Sequence, residues 1–130
     1  MLAAAFGLLS VAPAFAHHSL SIYSRATSHT IEGTVQSYRW SNPHVRIAVK
    51  TIAQDGNIKQ WDIESGSVSR LAMAGFTKGT LAVGEKVSVS FYPRRDGFPS
   101  GFLISVTKED GRKFDVNRKG RPLGGTQFQY

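Results

Sequence analysis

Five short runs of alternating apolar and polar residues, broken by turn residues and interrupted once by a helical pattern, constrain this chain more than any other feature. A period of two sends one set of side chains to a core and the other to solvent, the signature of half-buried strands. The first run, TIEGTVQSYRW (30 to 40), is rich in β-branched and aromatic residues, and Gly33 within it signals a bulge or sharp bend. After SNP, HVRIAVKTI (44 to 52) puts Val45, Ile47 and Val49 in one phase and His44, Arg46 and Lys50 in the other. The Asp-Gly of QDGN (54 to 57) is a tight hairpin signal, and it leads into IKQWDIE (58 to 64). These three runs form a meander.

SVSRLAMAG (67 to 75) breaks the period. It starts with a serine suited to capping, spaces Val68, Leu71 and Ala72 on one helical face, and stops at Gly75. KVSVSFY (86 to 92) and FLISVT (102 to 107) then alternate on either side of the basic turn PRRDGFPSG. Three strands, a short helix and two more strands is the order of the oligonucleotide/oligosaccharide-binding barrel, a five-stranded Greek key. The expected fold is therefore all-β with one short helix, an OB-fold-like barrel over residues 30–107. An N-terminal segment (17–29) precedes it. A basic tail (108–130) follows, with a candidate hairpin at Asp110-Gly111 and mobility expected from Asn117 onward.

Residues 1–16, MLAAAFGLLSVAPAFA, are uncharged, apolar from Leu2 to Val11, and end with small residues at Ala14 and Ala16. This reads as a signal peptide cut after Ala16, and its apolar run falls short of the roughly 20 residues that span a bilayer. The expected location is periplasmic or secreted. With no cysteine, thiolate metal sites, cysteine nucleophiles and disulfides are excluded. The formal charge of +7 favours anionic neighbours, and in an exported protein envelope polysaccharide or lipid head groups come ahead of nucleic acid, which is not expected.

Several short stretches occur together in a fixed order: HHS directly after the cut, WSNPHV (40 to 45), WDIES (61 to 65), LAMAGF (71 to 76), LAVGEKVSV (81 to 89) and RRDG (94 to 97). In this combination the chain resembles the bacterial domain-of-unknown-function family numbered 6152. The resemblance implies a small exported β-barrel protein and supplies no activity. Any chemistry must be read from the residues.

Cleavage after Ala16 gives a chain beginning His17-His18-Ser19. An N-terminal histidine chelates Cu(II) through its amino nitrogen and Nδ1, and one further imidazole completes a nitrogen-rich tetragonal site suited to copper. His44, on the polar phase after Pro43, is the candidate third ligand. His18 offers a competing mode through the amino group, the intervening amide and its own imidazole. Cleavage after Ala14 would place His17 third, another copper-binding arrangement. Zinc is the second choice of metal. Asp62 or Glu64 on the neighbouring strand can orient a ligating imidazole. Storage, delivery or sensing is expected of such a site rather than catalysis, since no Ser-His-Asp signal, phosphate loop or environment separating the two carboxylates stands out. The plain alternative is that these histidines are ordinary surface residues.

A rival reading makes the barrel a module for an anionic polysaccharide. The candidate patch is Trp40, Arg46, Lys50 and Lys59 on the first three strands, with Arg94 and Arg95 on the loop between strands four and five.

Overall fold

The computed structural model describes residues 20–116. The expected signal peptide, His17, His18 and the tail from Asn117 lie outside the described residues. The alternating runs become β1 (His29–Arg39), β2 (Arg46–Ile52), β3 (Ile58–Glu64), β4 (Lys86–Pro93) and β5 (Ser100–Lys108), with α1 (Val68–Met73) between β3 and β4. The strands run in the order β3-β2-β1-β4-β5, and a parallel pairing of β3 with β5 closes the barrel. The protein is a closed five-stranded barrel with one short helix.

Phase decides what the barrel contains. Val45, Ile47 and Val49 have no exposed surface, and they meet Ile63, Leu71, Val89, Phe91, Leu103 and Val106 in one continuous core. Each such side chain contributes about 1.5–3 kcal/mol on burial. The seam at β3–β5 needs a glycine, because a Cβ on Gly101 would lie 2.1 Å from a ring carbon of Phe91.

Gly33 has a similar reason. Its missing Cβ would sit 2.4 Å from the Lys50 carbonyl oxygen, so β1 can bend against β2 there. β1 pairs with β4 from His29 to Thr34 and with β2 from Thr34 to Arg39, and so belongs to both halves of the barrel. The register shift falls between Val35 and Ser37, past the glycine: Gly33 provides the close approach and the bulge lies beyond it.

Ser67 caps α1 by accepting from the Arg70 amide, and Gly75 follows with φ +87°. Leu71 is buried, but Ala72 is exposed; Ala74, past the helix end, fills the core position instead. Six helical residues are too few to carry a regular stripe, and the chain leaving the helix supplies the remaining contact.

The fold does not stop at 107. β5 runs to Lys108, and β6 (Lys113–Asp115) pairs back onto it through the expected Asp110-Gly111 turn. Phe114 and Val116 enter the core, with Phe114 5.0 Å from Phe76. The first part of the expected tail is thus barrel wall. The N-terminal segment is also anchored: Leu20–Ile22 form a 3-10 turn, Tyr23 bridges to Arg94, and the Ser24 amide donates to Pro93.

Candidate functional site

Backbone geometry holds His44. The peptide between Asn42 and Pro43 is cis. Asn42 accepts from the Val68 amide at the start of α1, and Val45 exchanges backbone hydrogen bonds with Gly66 and Ser65. The β1–β2 loop is thereby laced to the end of β3, and the imidazole is set beside Ser65 and Glu64. Its Nδ1 lies 3.0 Å from the Ser65 carbonyl oxygen and 3.4 Å from Glu64 Oε1. A carbonyl only accepts, so Nδ1 carries the hydrogen. In the neutral ring the lone pair is then on Nε2, the tautomer that a metal-binding histidine presents.

Glu64 is the hub of this cluster. It is only 9% exposed, and a buried carboxylate must find partners or lose its charge. Oε2 accepts from the Tyr23 hydroxyl at 3.0 Å and from Arg46 Nη2 at 3.3 Å. The other guanidinium nitrogen of Arg46 bonds to Asp62. Register explains the arrangement, since Arg46 stands directly opposite Glu64 across β2 and β3. Tyr23 is buried against Phe102, ring centres 5.6 Å apart, and burial followed by the Glu64 charge pushes its hydroxyl up to about 12.

The expected polysaccharide patch does not assemble. Arg46 is engaged with two carboxylates, and Arg94 is paired with Asp96, whose carboxyl it holds below the usual carboxylate range. Arg95 donates to the Tyr23 carbonyl. Two of the three arginines thus face three carboxylates, and the third is spent on a backbone carbonyl. Trp40 leans on Tyr38 at 5.9 Å against the core, while Lys59 lies 4.5 Å over Trp61 instead. Lys50 and Lys59 fall on opposite faces of the sheet by alternation. The β-phase fixed each face; the neutralising partners came from the neighbouring strand for Arg46 and from its own loop for Arg94.

Among the described residues no group of three or more histidines and carboxylates converges as a metal centre. His44 is the single expected ligand that the structure describes. Tyr23 is the member that the sequence did not reveal, because 41 residues separate it from Glu64. Its buried position shows that the segment following His17 and His18 runs onto the barrel beside His44.

A small OB-like barrel with a carboxylate-oriented histidine on its β2–β3 face is the class that fold and site define. The chain belongs to the family of unknown function DUF6152, whose profile matches residues 7–103. No curated protein matches the chain. Among solved structures it is similar to the mitochondrial single-stranded DNA-binding protein Rim1 of S. cerevisiae, with 11% identity and a TM-score of 0.48 over 66% of this chain and 97% of that one. It is also similar to the small single-stranded DNA-binding protein of Streptomyces coelicolor, with 17% identity and a TM-score of 0.42 over 64% and 91%. The barrel assignment rests on the strand pairings above and not on these likenesses, and nothing in them supports setting nucleic acid aside as a partner. No helix among the described residues is long and apolar enough to cross a membrane.

Proposed function

We propose that the protein, exported and cut after Ala16, binds one copper ion through His44 Nε2 and the amino-terminal histidines, with storage, delivery or sensing as its role. The observation that carries this reading is the placement of His44 Nδ1 on the Ser65 carbonyl and Glu64, an arrangement that leaves Nε2 to ligate. A second observation supports the choice of the other ligands. Tyr23 shares the same Glu64, and His17 lies three residue steps ahead of the 3-10 turn that begins at Leu20, a reach of at most about 11 Å. His17 supplies an amine and an imidazole, and His18 is the alternative imidazole. Nitrogen ligands of this kind favour copper over the earlier divalent metals, with zinc the nearest competitor.

Calorimetric titration of chain beginning at His17 tests the proposal. One equivalent of Cu(II) binds, zinc does not displace it at equal concentration, and His44→Ala weakens binding at least tenfold. Equal binding by His44→Ala removes His44 from the site. The affinity also falls on acidification, since protons compete for both imidazole and amine.

A further inference from the structure

The bend of β1 leaves a second feature at the other end of β2. Beyond Thr34, β1 follows β4 while β2 continues to Ile52 paired only with β3, so the two strands part and a cleft of about 480 Å³ opens between them. It adjoins a smaller one of about 370 Å³, with Glu32 and Ile52 bordering both. We propose that this cleft binds an acidic sugar, a hydroxylated ring carrying an anionic group.

Strand register sets the chemistry. Thr34 stands opposite Lys50 on one side and Lys86 on the other, so two ammonium groups flank one hydroxyl on a single face. Neighbouring strands lie about 4.8 Å apart, and four-carbon stems let both lysines close on one anionic group above Thr34. The ammonium group of neither lysine has a hydrogen-bond or ion-pair partner among the described residues. Lys108, on the same wall, is already committed to Glu85 at 3.0 Å and the Thr80 carbonyl at 2.8 Å, and contributes its stem.

Two residues along, Glu32 lies opposite Ser88, and Ser88 opposite Thr107. This second row offers a carboxylate and two hydroxyls, the partners that sugar hydroxyls require. Ile52, 64% exposed at the rim, provides an apolar surface for the C–H face of a ring. The volume suits one or two sugar units.

The lining favours a saccharide over a nucleic acid. Among the described residues no aromatic side chain lines the larger cleft, and Glu32 and Glu109 beside the two lysines make a mixed lining that suits hydroxyls next to an anionic group better than a run of phosphates. Trp61, in the smaller cleft, has its ring against Phe91 at 5.2 Å and under Lys59, so a base would have to displace that lysine to stack there. Stacked bases are what sequence-tolerant single-strand binding relies on. Lys50 is four residues from Arg46 along β2, roughly 13 Å from the histidine end, so this binding is independent of metal.

The test is a titration of the metal-free protein with a digalacturonic acid probe, followed by amide shifts in nuclear magnetic resonance. Shifts are expected at Thr34, Lys50, Lys86 and Ser88. The neutral digalactose counterpart binds at least tenfold more weakly, and the doubly substituted Lys50→Gln, Lys86→Gln chain loses at least tenfold in affinity for the acidic probe. Absence of shifts in the cleft, equal binding of the neutral sugar, or unchanged affinity in the double variant overturns the proposal. Displacement of the probe by a lower concentration of oligothymidylate also overturns it, in favour of nucleic acid. Copper titrations of the same double variant remain at the wild-type value, which separates this cleft from the histidine site.

Discussion

Replacing Tyr23 with phenylalanine isolates the contact that ties the N-terminal segment to the histidine cluster. The ring and its packing on Phe102 remain, and only the hydroxyl donating to Glu64 is lost. A hydrogen bond to a charged group contributes about 1.5–3 kcal/mol, and Glu64 keeps Arg46 and His44 as partners, so the cost at neutral pH falls at the lower end, about 1.5 kcal/mol. The pH dependence is the sharper part. Burial, then Glu64, raises the Tyr23 hydroxyl from 10.0 to about 12, so the folded protein holds that proton more tightly than the unfolded chain. The contribution is intact below pH 10 and is lost as pH climbs toward 12, with about 1.4 kcal/mol of it gone by pH 11. Urea unfolding followed by tryptophan fluorescence at pH 7, 9 and 11 measures both effects. Wild type is the more stable protein at pH 7 and 9, and its advantage shrinks at pH 11. Equal stability at pH 7, or a gap that stays constant to pH 11, refutes the account of the Tyr23–Glu64 contact.

Three further outcomes follow from the same structure. Gly101→Ala forces a methyl against Phe91 at the barrel seam and lowers stability by about 1–3 kcal/mol in urea unfolding, or more if the ring cannot turn. Ser65→Ala removes a buried hydroxyl with no hydrogen-bond partner among the described residues, so thermal unfolding shows stability unchanged or raised by about 1 kcal/mol, while the carbonyl that holds His44 is retained. Glu64→Gln removes the charge behind the imidazole and lowers copper affinity about 10- to 100-fold in calorimetry, the usual effect of losing a group that orients a ligand.

Alternation carried the barrel. Val45, Ile47 and Val49 are buried as their phase requires, and the Asp-Gly turns at 55–56 and 110–111 join the hairpins expected of them. Partners across strands were another matter. Arg46 reads as a free cation until the β2–β3 register sets it against Glu64, and Arg94 until the loop folds Asp96 back onto it. A pattern along one strand reports a face; it does not report who stands opposite. The orientation of His44 was legible only in part, because the neighbouring carboxylate has a side-chain signature whereas the Ser65 carbonyl has none. Tyr23 donates to a carboxylate distant in sequence, a partner that no local pattern around it announces. Gly33 marks a bend in β1, but no pattern along the chain encodes the register that sets Lys50 and Lys86 against Thr34.

Electron paramagnetic resonance of the Cu(II)-loaded protein beginning at His17 bears most directly on the proposed site. The account predicts a tetragonal, nitrogen-rich spectrum that changes when one methionine is retained ahead of His17 and changes again in His44→Ala. A spectrum identical in all three proteins would contradict it and return His17, His18 and His44 to the ordinary surface.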